Sequence, residues 1–246
     1  MSKPLADRIA LVTGASRGIG KATALKLAEA GAHVVATART VGGLEELDDD
    51  IRSVGGSATL VPLDLTDSPA IDRLGAALHE RYQRVDVLVA NAGILGVLSP
   101  LGHVEPKAWD EMIAVNVTAN WRLIRSMDPL LQASDAGRAV FVTSGITSRP
   151  RAYWGAYAAS KAALEMMARV YAAETATTPV RVNLFNPGPT RTRMRALAMP
   201  GEDPTTLEPP EGPAAKIVEL CLPGFTESGK LYDYRTRKLR DFEPPV

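Results

Sequence analysis

Ile9-Ala10-Leu11-Val12-Thr13-Gly14-Ala15-Ser16-Arg17-Gly18-Ile19-Gly20 is the stretch whose reading decides the fold. The first four residues form a short apolar run, as a buried strand does. Three glycines then fall between positions 14 and 20, and a helix opens at once over Lys21 to Ala30, with Ala22, Leu25 and Leu27 turned inward. Glycines permit a tight turn whose backbone N–H groups can approach a phosphate, and the helix N-terminus behind them favours negative charge. The spacing is GxxxGxG, distinct from the GxGxxG of the common dinucleotide fingerprint.

Working outward, the same alternation continues. His33 to Thr37, Ala58 to Leu63, Val85 to Ala90, Ala139 to Thr143 and Val180 to Leu184 are apolar and strand-like. Helical stretches separate them: a stripe of Leu44, Leu47 and Ile51, then residues 68–82, 106–132 and 157–175. Near-continuous apolar strands alternating with helices predict a parallel sheet of about seven strands covered on both faces. No linker or repeat interrupts the pattern. The one compositional break is Met199 to Pro213, rich in Pro, Glu and Thr. With Pro200, Pro204, Pro209, Pro210 and Pro213 plus Gly201 and Gly212, residues 193–213 are not expected to form a continuous helix. Long loops in compact domains are usually lids, so a substrate lid is expected there.

Composition narrows the partners. The 28 Lys and Arg balance 28 Asp and Glu, leaving no net field to draw nucleic acid or an anionic membrane. Cys221 is the only cysteine, and His33, His79 and His103 are scattered, so neither a disulfide nor a metal site is expected. Met1 to Arg8 lacks the apolar stretch of a signal peptide, and no apolar run reaches the ~18 residues of a membrane span. A soluble cytoplasmic protein is the expectation.

The second strand specifies the nucleotide. In dinucleotide folds an acidic residue at its end holds the ribose hydroxyls, whereas an arginine nearby suits a 2′-phosphate. Here the strand ends Thr37-Ala38-Arg39-Thr40, with Ala38 at the acidic position. Arg39, with Arg17 from the glycine turn, favours NADP(H) over NAD(H).

Tyr157 and Lys161 stand four apart at the start of a helix and share a face. A free phenol, with a pKa of about 10, is a poor acid or base at neutral pH. A neighbouring ammonium favours the phenolate and would bring the group toward working range. The same spacing recurs at Tyr234 and Lys238. Ser144 separates the two pairs: it lies thirteen residues before Tyr157, at a strand end, where Cys221 holds the equivalent place before Tyr234.

Together these motifs resemble the short-chain dehydrogenase/reductase family over roughly residues 8–192. Thr13-Gly14 through Gly20 matches its glycine turn, which places Thr13, Gly14, Ser16, Arg17, Gly18, Ile19 and Gly20 at the cofactor. Asp64 and Leu65 match the positions beside the adenine, and Asn91-Ala92-Gly93 its NAG motif. Asn116 is similar to its helix asparagine. Pro187, Gly188, Thr190 and Thr192 resemble the segment beside the nicotinamide carboxamide. WGAYAASK at 154–161 and PGPTRTRM at 187–194 are similar to a bacterial branch, the YciK-like oxidoreductases.

The resemblance implies a single-domain doubly wound Rossmann fold over residues 1–246, with NADP(H) as cofactor and a small carbonyl or alcohol as substrate. It makes Tyr157 the general acid or base. Lys161 would lower its pKa and bind the nicotinamide ribose, Ser144 would hydrogen-bond the substrate oxygen, and Asn116 would hold a water. A homodimer or homotetramer is implied, although Leu231 to Val246 lacks the glycine-rich ending many relatives use in tetramer contacts. An epimerase or dehydratase on the same fold, and a nucleotide-sensing protein with idle chemistry, are the alternative readings. Tyr153, Trp154, Met194, Leu197 and Met199 are candidates for an apolar substrate pocket.

Overall fold

A computed structural model describes residues 3–242. Residues 1–2 and 243–246, the two ends of the expected domain and part of both terminal readings, lie outside the described residues.

Strand β1 (Ile9–Thr13) leads through the glycine turn into helix α1 (Gly18–Glu29), then β2 (His33–Ala38), α2 (Val41–Ser53), β3 (Ser57–Pro62) and α3 (Ser68–Tyr82). The Asp67 carboxylate caps α3 by accepting from Ala70 N at 3.1 Å, and Pro69 sits in its first turn, so the start of this helix is locally encoded. After β4 (Val87–Ala90) come α4 (Pro106–Ile113) and α5 (Ala119–Gln132), then β5 (Arg138–Val142), α6 (Gly155–Glu174) and β6 (Arg181–Asn186). The chain ends with α7 (Arg193–Ala198), α8 (Glu211–Cys221), β7 (Leu231–Asp233) and β8 (Lys238–Arg240).

The strands pair in the order β3-β2-β1-β4-β5-β6-β7-β8. All neighbours are parallel except β7 and β8, which form an antiparallel hairpin. Alternate strand residues feed two cores. Leu11, Leu88 and Phe141 pack with α3, α5 and α6 on one face; Val12, Val89 and Val142 pack with α1, α2 and α8 on the other. The doubly wound α/β fold expected from the sequence is therefore present.

Three features refine the expectations. The sheet has eight strands, because the tail adds the β7–β8 hairpin. Its three-residue strands are too short to show a period in sequence. The helix expected over 106–132 is present and carries a π turn at Ala114–Thr118. Residues 193–213 are not one long loop. They hold α7, a 3₁₀ turn at Pro204–Thr206 and the opening of α8, which accepts Pro213 because the first-turn N–H groups need no intrahelical acceptor.

Candidate active site

Chain direction around the sheet reverses between β1 and β4, and ligands of open α/β sheets bind outside the carboxyl ends of the strands at that point. The glycine turn leaves β1 there. Gly14 and Gly18 have φ of +66° and +57°, values that side chains rarely adopt. At Gly20 a Cβ would lie 2.2 Å from the Gly14 carbonyl oxygen, so only glycine lets α1 dock this closely on its own turn. Ser16 packs against the start of α2, where a Cβ on Gly43 would meet its own Cβ at 2.8 Å. Ile19 is partly buried against the α1-side core.

Thr13 and Asn91 brace this turn from within. The buried Thr13 hydroxyl accepts from Asn91 N and Ala92 N, each at 3.1 Å. Asn91 Nδ2 donates to the Thr13 carbonyl at 2.9 Å. The two strand ends at the switch point are thereby fixed relative to each other.

Along the rim beyond β2, Ala38 is buried while Arg17 and Arg39 are exposed. Asp64 folds its carboxylate onto Thr66, accepting from the backbone N at 2.9 Å and the hydroxyl at 2.8 Å. Those two bonds, with Arg39 adding a smaller pull, hold the Asp64 carboxyl below the usual range. Leu65 beside it is buried in the α3-side core.

The residues expected to react come together where β4, β5 and α6 meet. Tyr157 and Lys161 lie one turn apart on α6, both nearly inaccessible to solvent. Lys161 Nζ donates to the Val142 carbonyl at 2.9 Å, at the end of β5, and stands 5.9 Å from the centre of the Tyr157 ring. Two residues after Val142, Ser144 closes a 3₁₀ turn by accepting from Ile146 N at 3.4 Å. Its hydroxyl is close enough to the Tyr157 phenol to pull that group's pKa down. Burial pushes the phenol up to about 12, with Ser144 pulling the other way. Burial also drives Lys161 down to about 8, opposed by Glu165. Desolvation is thus the largest influence on both groups.

Asn116 sits in the π turn, a kind of helix irregularity common at functional sites. Its buried side chain accepts from Ile94 N and donates to Ile94 O, both at 2.9 Å, and lies 3.0 Å from Ser160 Oγ. Ser160 in turn donates to the Tyr157 carbonyl at 2.8 Å. The Asn116 carbonyl accepts from Asn120 Nδ2 at 2.9 Å. Asn116 therefore ties the segment after β4 to α6. A Cβ on Gly93 would fall 3.2 Å from Asn116 Oδ1, a tight contact, and 3.4 Å from Lys161 Nζ, an ordinary one, so the three pack closely here.

Opposite, Asn186 Oδ1 accepts from Gly188 N at 3.1 Å and shapes the turn through Pro187 after β6. Thr190 pairs with Glu208 in an isolated bridge. Thr192 caps α7 by accepting from Arg195 N at 3.2 Å, and a Cβ on Gly18 would touch its Cγ2 at 3.4 Å. The glycine turn and Thr192 thus lie side by side.

An apolar cluster surrounds Tyr157: Leu95 and Met112 are buried, with Trp154 and Met194 partly so. Trp154 meets the Tyr157 ring edge-on, centroids 6.0 Å apart. Tyr153 and Leu197, at 60% and 66% exposed, turn away from it. The second Tyr-xxx-Lys pair does not share a helix face. Tyr234 donates to Glu208 at 3.1 Å, and Lys238 begins the exposed strand β8. Ser160 and Glu165 were missed in the sequence, although Glu165 continues the four-residue spacing of Tyr157 and Lys161.

This arrangement defines a class. The chain belongs to the short chain dehydrogenase family, which matches residues 8–203. It is 41% identical over 221 residues to the uncharacterized oxidoreductase YciK of Escherichia coli, covering 89% of this chain and 86% of that one. A short chain dehydrogenase of Shigella flexneri, crystallised with NADP, superposes with a TM-score of 0.89 at 38% identity, over 96% of this chain and all of that one (100%). Another from Escherichia coli CFT073, crystallised with NADPH, gives 0.86 at 39% identity over 96% and 99%. No helix among the described residues is long and apolar enough to cross a membrane.

Proposed function

We propose that the protein is an NADP(H)-dependent oxidoreductase acting on a carbonyl or alcohol, with Tyr157 as the proton-transferring group. One observation carries this reading. Ser144, Tyr157 and Lys161 meet at the end of β5, beside a glycine turn at the sheet's switch point. Two similar proteins were crystallised with NADP and NADPH, which supports the choice of cofactor.

The residues present fit such a cofactor. Gly14 and Gly18 leave an open turn, and the first N–H groups of α1 have no intrahelical acceptor. Arg17 and Arg39 suit a 2′-phosphate, with Ser16 beside them, and Asp64 and Leu65 suit the adenine. Asn91, Ala92 and Gly93 border the middle of the cleft, with Pro187, Gly188, Thr190 and Thr192 at the nicotinamide end. When bound, the cofactor supplies or accepts the hydride.

The chain's own groups do the rest. Tyr157 keeps its proton at neutral pH and is held for donation to the substrate oxygen. Ser144 offers that oxygen a hydrogen bond, and Lys161 keeps positive charge next to the phenol. Asn116 acts through Ser160 and the backbone, by holding α6 in place. Trp154 and Met194 suit a substrate with an apolar body.

Purified protein should consume NADPH with at least some members of a broad carbonyl panel, and faster than NADH. Cofactor binding without turnover of any carbonyl or alcohol would favour a sensing role instead. Homo-oligomeric assembly belongs to the same reading, and sedimentation velocity tests it.

A further inference from the structure

The turn carrying Ser144 is anchored from behind by a carboxylate outside the reacting set. Thr143, immediately before Ser144, donates to Glu165 Oε1 at 2.7 Å. Thr147, three residues after it, donates to the same oxygen at 2.9 Å and lies 3.1 Å from the Ser144 carbonyl. Glu165 stands one helical turn beyond Lys161 on α6, so Tyr157, Lys161 and Glu165 form one stripe.

A half-buried carboxylate is costly unless it is compensated. The charged groups acting on Glu165 are Lys161 and Arg169, both on α6, while β5 and the turn after it bring only the hydroxyls of Thr143 and Thr147. Burial raises the Glu165 carboxyl, and the hydroxyls and cations oppose that rise. In return Glu165 acts on Lys161 against its own desolvation.

We propose that Glu165 is a positioning residue that clamps the Ser144 turn to α6 through Thr143 and Thr147 and sustains the positive charge of Lys161. The inference rests on the reading of Ser144, Tyr157 and Lys161 as the reacting set. It goes further by assigning their geometry and charge to a fourth side chain.

Two substitutions separate clamp from charge. Glu165→Gln keeps an acceptor oxygen but loses the charge, and Glu165→Leu loses both. In the cofactor-free protein with ¹³Cε-labelled lysine, the Lys161 signal (assigned with Lys161→Arg) reports its titration directly. Its midpoint should fall by roughly half a pH unit or more in Glu165→Gln, the scale of a lost neighbouring charge. Amide exchange over residues 145–148 should stay near wild type in Glu165→Gln and speed up at least about tenfold in Glu165→Leu.

An unmoved Lys161 midpoint in Glu165→Gln overturns the charge role, and unchanged exchange in Glu165→Leu overturns the clamp. If Glu165→Leu does not fold, exchange in a Thr143→Val, Thr147→Val double variant that is no faster than in wild type overturns the clamp. Neither readout needs turnover, so full activity in Tyr157→Phe would sink the reading of the site while leaving these results to stand on their own.

Discussion

Gly93 and Lys161 approach so closely that a methyl on Gly93 would begin 3.4 Å from the Lys161 ammonium nitrogen. A branched side chain at 93 must push Lys161 and Asn116 aside. Gly93→Val should lower kcat by at least about tenfold, since displacing a reacting group by an ångström can cost more than that. Thermal unfolding should remain cooperative. Wild-type kcat in Gly93→Val would show that the close approach is incidental.

Cofactor choice rests on Arg39 and Ala38. Arg39→Ala should weaken NADPH by roughly 1.5–3 kcal/mol, the scale of a charged hydrogen bond, with little change for NADH. Ala38→Asp should repel the 2′-phosphate and turn preference toward NADH. Titration of both cofactors by fluorescence checks this. Equal affinity of the unaltered protein for the two would refute the assignment.

The buried lysine sets a pH limit. A lysine with a lowered pKa is charged below that value and neutral above it, so the Lys161 ammonium is lost as pH rises through about 8. The Tyr157 phenol, pushed up to about 12, stays protonated across this range. Carbonyl reduction should therefore be level in mild acid and fall above about pH 8 as the charge beside the phenol disappears. A rate that holds level well above that pH would mean the ammonium is not needed.

The fold was legible because both periodicity and punctuation were strong. The apolar run Ile9–Val12, the glycines at 14, 18 and 20, and the helix over 68–82 with Asp67 ahead of it all encode their structure locally. Tyr157 stood out from Tyr234 through Ser144 alone, and the structure separates the two pairs for that reason: one lies on a helix against a strand end, the other in a hairpin. The π turn was not legible. Its extra residue leaves the apolar pattern of 106–132 intact, and its effect, directing Asn116 toward Ile94, depends on a segment over twenty positions away. Glu165 was hidden differently, as an acidic residue on a helix that looks like any solvated one until Thr143 and Thr147 are seen above it.

The lid expected over 193–213 remains a proposal, and the elements found there narrow the segment it concerns. Pro209 and Pro210 lead directly into α8 and Pro213 lies inside it, so the lid proposal falls on 193–206. Arg195 bonds Glu202 through two nitrogens at 2.5 and 2.6 Å, so this part would move as a unit. NADPH plus substrate should increase amide protection over 193–206, where the chain leaves Thr192. Protection that does not change on adding both would remove the lid from the account.

The central claim is that Tyr157 moves the proton. Tyr157→Phe removes only the hydroxyl, and Tyr234→Phe does the same at the second Tyr-xxx-Lys pair. Steady-state turnover of both, with NADPH affinity measured alongside, is the most direct test. Tyr157→Phe should lose at least ~10²-fold in kcat while still binding NADPH, and Tyr234→Phe should stay near wild type. Comparable losses in the two variants, or wild-type turnover in Tyr157→Phe, would contradict the account.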